Sequence, residues 1–145
     1  MNAEIRSASI EDERHLHDIH QELNRPMRNV YLANEFLVAW LDEEAIGCAG
    51  TALYQDGAYF YGLAVRKQWQ RQGVGTQLMQ ARIDLLGGTT VSYAVALVMF
   101  WNSRFFRKFG FTPIKRHLLP KSAIFHSDLT NPLLRRSAVM VRSVR

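Results

Sequence analysis

Between Ala58 and Phe100 the apolar residues change period twice, which restricts that stretch to a strand, a helix and a second strand. Ala58 to Val65 is an almost unbroken apolar run of strand length. From Gly73 the spacing becomes helical: Val74, Leu78, Ala81 and Leu85 fall at i, i+4, i+7 and i+11, with Gln77, Gln80, Arg82 and Asp84 around them. Gly87-Gly88 stops the helix. Val91 to Phe100 is apolar again, with small alanines alternating against Val95, Leu97 and Met99, as in a strand covered on both faces. Joined through a helix, the two strands should be parallel with a right-handed crossover, the second lying in the middle of a sheet.

The flanking segments supply antiparallel neighbours. Glu4 to Ala8 reads as a strand, and Ser9 as the N-cap, with Asp12 three residues on, of a helix over 10–23. Asn24 and Arg25-Pro26 punctuate it, and Met27 to Ala33 reads as a second short helix. Glu35 to Leu41, Ala45 to Tyr54 and Ala58 to Val65 are strands parted by short charged or glycine-containing turns, so neighbours run antiparallel. Asn102 can cap a helix to Phe109, which Gly110 ends. Phe111 to His117 and Ala138 to Val144 read as two late strands joined by an irregular segment with Pro120 and Pro132. The expectation is one α/β domain over residues 1–145, of α+β type, with a mixed, mostly antiparallel sheet.

Composition removes several classes. One cysteine, Cys48, allows no internal disulfide and no sulfur-rich zinc site, and fits a reducing compartment. Glu4 and Arg6 interrupt what a signal peptide would need, and the uncharged stretch from Leu85 to Ser103 is broken by glycines and threonines. A cytoplasmic protein without a membrane span is expected. His15, His17 and His20 cluster on the first helix, where only His17 and His20 share a face; with no third ligand at reliable spacing, no metal is expected and the three read as surface residues. Charge is uneven: residues 1–65 are net −7, 66–103 net +3 and 104–145 net +9. Such asymmetry fits a polyanion surface, a solvated basic face, or a site that takes an anion on one side and a cation on the other.

The segment Leu63 to Leu78, LAVRKQWQRQGVGTQL, carries chemistry. A strand ends, a basic loop follows, and two glycines open a helix. Helix N-termini present unpaired N–H groups and partial positive charge, Gly73 and Gly75 lack the Cβ atoms that would hold a phosphate away, and Arg71 adds a fork of donors. The pattern lacks the G-x-x-x-x-G-K-[ST] of a P-loop and the third glycine of a dinucleotide fingerprint.

Gln70-Arg71-Gln72-Gly73-Val74-Gly75, preceded by Leu-Ala-Val, resembles the Q/R-x-x-G-x-G/A motif of the GNAT N-acetyltransferase superfamily. Asn102 followed by Phe105-Phe106-Arg107-Lys108-Phe109-Gly110-Phe111 is similar to the family's late Asn and F-Y-x-K-x-G-F. The order of elements fits over nearly the whole chain. The resemblance implies an acetyl-CoA-dependent transferase with the parallel strand pair splayed at the cofactor cleft and helices on both faces of the sheet. Leu63, Ala64 and Val65 would pair with the pantetheine arm, Gln70, Arg71, Gln72, Gly73, Val74, Gly75 and Thr76 would wrap the pyrophosphate, and Asn102 and Phe106 would border the arm. The Val65 N–H would serve as oxyanion donor. An amine would attack the thioester directly in a ternary complex, after loss of a proton to a base or through water.

This chain departs from the pattern at two places. Phe106 stands where many members carry a tyrosine that protonates the departing thiol, and it has no proton to give. Tyr59 and Tyr61 stand on the strand where members often place a glutamate; Tyr61 is the candidate proton shuttle, with packing as the alternative role, and Tyr93 is a weaker one. His117 and His126 are base candidates in the late segment. Cys48 reads as a small core residue, and Trp40, Trp69 and Trp101 as core or rim aromatics. The acidic N-terminal half, including the 26–34 segment on the acceptor side, favours a cationic acceptor amine. Two other readings stay open: an acyl-CoA-binding regulatory module without turnover, and nucleic-acid binding through Arg135, Arg136, Arg142 and Arg145. The last ranks lowest, because those arginines interleave with Val139, Met140, Val141 and Val144 as on an edge strand with a solvated face. Pairing of the late strands in a homodimer is also open.

Overall fold

A computed structural model describes residues 2–25, 33–119 and 137–144. Its strands are β1 (Glu4–Ser7), β2 (Phe36–Leu41), β3 (Glu44–Leu53), β4 (Gly57–Val65), β5 (Tyr93–Val98), β6 (Thr112–Pro113) and β7 (Ala138–Ser143), and its helices α1 (Glu13–Glu22), α2 (Val74–Leu86) and α3 (Ser103–Lys108). The strands form one sheet in the order β1-β2-β3-β4-β5-β7-β6. The pairs β1–β2, β2–β3, β5–β7 and β6–β7 are antiparallel, and β4–β5 is parallel, from Gly57↔Tyr93 to Phe60↔Ala96. This is the mixed, mostly antiparallel α/β architecture that the change of hydrophobic period predicts. No helix among the described residues is long and apolar enough to cross a membrane.

The chain divides into two compact units, one of Met1–Thr51 with Gly62–Asp84 and one of Ala52–Tyr61 with Leu85–Arg145. In the first, Ala39, Ile46, Ala49, Val74 and Leu78 form a buried cluster under Ile5, Leu37, Leu63, Val65 and Trp69. A Cβ at Gly47 would lie 3.0 Å from the Ala64 carbonyl and 3.1 Å from Leu78 Cδ1, so the glycine lets helix and strands approach closely. The buried face of α2 differs from the expected one: Val74, Leu78, Met79, Arg82 and Leu86 are inside, whereas Leu85 is 42% exposed. Arg82 reverses its expected outward role. Its stem packs with the apolar face while Nη1 donates to the Gly50 carbonyl (3.0 Å), and burial lowers its pKa to about 9.

In the second unit, Val95 and Val139 pack with Leu119, and Phe111 meets Phe60 and Phe106 at ring separations of 5.9 and 5.3 Å. β5 is central, between β4 and β7. β7 is not an edge strand, correcting that expectation: Met140 and Val139 are buried and β6 pairs outside it. The strand expected over 111–117 shrinks to Thr112–Pro113, since Pro113 has no N–H to extend a ladder, and a 3-10 turn over Arg116–Leu118 follows. The helix expected from residue 10 begins as a 3-10 turn, Ile10–Asp12, and Ser9 N–H donates to Asp12 Oδ2 (2.8 Å) as its capping pattern predicts. The short helix expected over Met27–Ala33 lies outside the described residues, apart from Ala33, which opens a 3-10 turn.

Gly62 interrupts β4 with φ +64°, a left-handed conformation within a strand. Three buried side chains of the first unit surround it. A Cβ there would fall 2.9 Å from the Phe36 ring and 3.5 Å from His20 Nε2, and the Cys48 thiol donates to the Gly62 carbonyl (3.6 Å). Burial pushes the Cys48 thiol up to about 12, so it is neutral and serves as a small core residue and weak donor, not a nucleophile. His20 is 1% exposed, which corrects its assignment to the surface: α1 turns it inward with Leu16 and Ile19 at the spacing of one helix face. Gly62→Ala should destabilise the protein by about 3 kcal/mol, from the left-handed backbone and overlap with a buried ring. Chemical denaturation would register it as a lower midpoint at unchanged slope; an unaltered midpoint would refute it.

Burial, then the charges of Arg25 and His17, lowers His20 from 6.5 to about 4. The folded pKa lies below the unfolded one, so the unfolded chain binds the proton more readily. The neutral imidazole's contribution to stability is therefore complete above about 6.5 and is lost as pH falls toward about 4. Unfolding free energy measured from pH 7.5 to 4.5 should fall more steeply for the wild type than for His20→Gln; parallel curves would contradict this.

Candidate functional site

β4 delivers its last residues, Tyr61–Val65, beyond the register it shares with β5, which ends at Phe60↔Ala96. The Arg66 N–H donates to the Ile46 carbonyl of β3 (2.8 Å), so strand alternation turns the backbone groups of Leu63 and Val65 to the opposite edge. Side chains cap both carbonyls there: Arg25 Nη1 donates to Leu63 O (2.5 Å) and Gln70 Nε2 to Val65 O (2.9 Å). Ala64, between them, is buried.

The loop then closes in two steps. A 3-10 turn over Lys67–Trp69 follows Arg66, and Arg71 and Gly73 both adopt positive φ, +62° and +89°. A left-handed arginine is an uncommon conformation of the sort that concentrates at ligand-binding loops. Gly73 faces open space: a Cβ there would meet nothing within 4 Å. α2 begins at Val74, and the first amide to find an acceptor in it is Gln77, bonded to the Gly73 carbonyl (3.0 Å). Residues 70–73 form a turn, and among the described residues the amides of Arg71, Gln72, Gly73, Val74, Gly75 and Thr76 make no well-formed hydrogen bond. Arg71, Gln72, Gly73 and Thr76 are exposed, Gly75 is half-buried, and Val74 anchors the turn in the core. Unused donors at the positive end of a 13-residue helix, with positive charge in Arg66, Lys67 and Arg71 alongside, can bind a diphosphate.

The residues expected to act fall in both units. Leu63, Ala64, Val65 and the run from Gln70 to Thr76 are together in the first. Tyr61, Asn102 and Phe106 are in the second. Tyr61 is half-buried and stacks on Tyr59, ring centroids 5.7 Å apart and planes 7° from parallel. Asn102 stands at the N-cap position of α3 but makes no side-chain capping bond, so the expected cap is absent. Phe106 is buried against Phe105 and Phe111. Tyr93 donates to Asp56 Oδ1 (3.3 Å), and His117 is exposed in its 3-10 turn. His126 and the 26–32 segment lie outside the described residues. Among the described residues no cluster of three or more His, Cys, Asp or Glu could hold a metal ion.

Sequence reasoning missed Glu22 and Arg25, reading the second only as punctuation after a helix. Both are polar residues at a helix end, and nothing in their spacing distinguishes them from solvated side chains. Glu22 accepts from the Lys67 N–H (2.8 Å) and from Arg66 Nη1 (3.1 Å); those bonds, the backbone one first, hold its carboxyl below the usual range.

Comparison with known proteins gives the family and the fold. Residues 33–113 match the model of the acetyltransferase (GNAT) domain. The chain is similar to N-acetylglutamate synthase from Neisseria gonorrhoeae, solved with coenzyme A and L-arginine: 25% identity, TM-score 0.80, over 97% of this chain and 33% of that one. The same enzyme with coenzyme A and N-acetyl-glutamate gives 24% identity and a TM-score of 0.84, over 100% and 36%. A GNAT-family acetyltransferase from Staphylococcus aureus Mu50 is similar in fold, at 16% identity and TM-score 0.78, over 99% and 100%. The chain thus spans about a third of the gonococcal synthase. No curated protein sequence matches it. Because the family model covers more than half of the chain, including the glycine loop, the strand before it and the helix after it, this protein belongs to the GNAT acetyltransferase family.

Proposed function

We propose that the protein transfers an acetyl group from acetyl-CoA to the amine of an acceptor that also carries a carboxylate. The observation that carries the cofactor half is the run of amides without acceptors from Arg71 to Thr76, beside an open left-handed glycine. Bound acetyl-CoA supplies an activated thioester carbonyl and a thiol leaving group. This chain supplies binding, alignment and charge control. In this reading the amides of Gln72 to Thr76 and the Arg71 guanidinium hold the diphosphate, and the outward edge of Leu63, Ala64 and Val65 receives the pantetheine arm. The Val65 N–H faces the oxygen on which negative charge develops; the family resemblance is what assigns Asn102 and Phe106 to the arm and Tyr61 to the amine's proton. A direct attack requires no acyl-enzyme, and the neutral, buried Cys48 is unsuited to form one. The same thiol fits a reducing, cytoplasmic setting.

Arg25 carries the acceptor half. One donor of its guanidinium is spent on the Leu63 carbonyl, at the very edge assigned to the cofactor, and the side chain is exposed. Its remaining donors form a fork suited to a carboxylate. The similarity, at 25% identity, to an N-acetylglutamate synthase supports an amino-acid acceptor over the cationic amine that the acidic N-terminal half suggests. Phe106, which has no proton to give, favours a second reading in which the protein binds acyl-CoA without turnover.

Calorimetric titration should show acetyl-CoA binding to the wild type and loss of at least tenfold in affinity for Gly75→Asp, whose carboxylate crowds and repels the diphosphate. Equal affinities would exclude the cofactor assignment. Thiol release with glutamate, glutamine, arginine, polyamines and a peptide amine tests the acceptor. Amino acids should react, and Arg25→Met should raise their KM about tenfold or more. Turnover of polyamines alone would eliminate the carboxylate acceptor, and binding without any turnover would select the regulatory module.

A further inference from the structure

We propose that Glu22, the last residue of α1, is a positioning residue that keeps the entrance of the diphosphate loop in its binding shape; this rests on the cofactor reading above. Its two carboxylate oxygens serve different partners. Oε2 accepts the Lys67 N–H at 2.8 Å and Oε1 accepts Arg66 Nη1 at 3.1 Å. Arg66 is itself fixed to β3, through Nε to the Ala45 carbonyl (2.7 Å) and through its own N–H to the Ile46 carbonyl (2.8 Å). The first two residues after β4 are thereby tied to a helix on one side and a strand on the other.

The bond to Lys67 has a particular effect. Lys67 opens the 3-10 turn Lys67–Trp69, and an N–H at the start of such a turn has no partner within the turn itself. Glu22, remote in sequence, caps it from outside. The Trp69 N–H returns to the Arg66 carbonyl (2.9 Å), and the Trp69 side chain packs against the cluster that holds Val74 and Leu78. A short path of fixed groups therefore joins the carboxylate to the first turn of α2, where the amides without acceptors stand. The Glu22 side chain is one-third exposed, so its attraction to Arg66 is screened and contributes little to global stability. Its directional effect is larger: amides already ordered need no further ordering when the diphosphate binds.

Glu22→Ala and Glu22→Gln, compared with the wild type, test this. Glu22→Ala should raise KM for acetyl-CoA about tenfold while kcat and KM for the acceptor stay within about twofold. Glu22→Gln, which still accepts from the Lys67 N–H, should recover part of the loss. In the protein without ligand, amide hydrogen exchange over Lys67–Thr76 should quicken in Glu22→Ala, with the strands β2 and β3 unaffected. A wild type that is saturated by acetyl-CoA, with unchanged KM and unchanged loop exchange in Glu22→Ala, overturns the positioning role and leaves the cofactor assignment standing. Failure of the wild type to bind acetyl-CoA defeats the assignment and the role in cofactor binding with it.

Discussion

Amides that lack acceptors at the entrance of α2 are the constraint on which the rest of the structure depends. A helix of this length leaves its first N–H groups unsatisfied unless a side chain caps them, and no cap is made among the described residues. Water or an anion must then meet them. The left-handed Arg71 and Gly73 compress the turn before the helix, and Gly73 leaves space where a side chain would stand. Val74 and Leu78 pin the helix to β3 through the close approach at Gly47, so the donors are held by a rigid element.

The strand before the loop is shaped for the same end. Gly62 adopts a conformation that ordinary residues resist, and His20, Phe36 and Cys48 fill the space around it. Beyond that irregularity Leu63 and Val65 present an edge whose carbonyls are met by Arg25 and Gln70, side chains instead of a neighbouring strand. An edge held by side chains can exchange them for another hydrogen-bonding partner more readily than a paired ladder can. The end of α1 thus contributes twice within a few residues, with Glu22 below the loop and Arg25 beside the strand edge.

Much of this was legible in the chain. The period change from Ala58 to Phe100 predicts the parallel pair and its helix, and the glycine spacing locates the turn that opens α2. Phase and burial were less legible. Helical periodicity placed Ala81 and Leu85 inside, yet the core takes Met79 and Arg82, because an arginine stem fills an apolar groove once a carbonyl receives its head group. His20 reads as surface together with His15 and His17, yet it lies one turn after Leu16 and beside Ile19 on the buried face of α1, which carries it inward. Asn102 has the right residue type for a cap, but its backbone, at φ −101° and ψ −4°, is already turned as in a helix, outside the extended range of a capping residue.

By itself, then, the sequence determined the longer strands and helices, the parallel crossover and the glycine-rich entrance of α2, since these follow from local periodicity and from residues whose backbone freedom is intrinsic. Tertiary structure alone decided which polar side chains matter. Glu22 meets Lys67 and Arg25 meets Leu63 across 45 and 38 residues of sequence, and no local pattern encodes a hydrogen bond between groups so far apart along the chain. Such pairings exist only after the apolar faces have packed, because it is packing that carries one helix end to the strand and loop it serves.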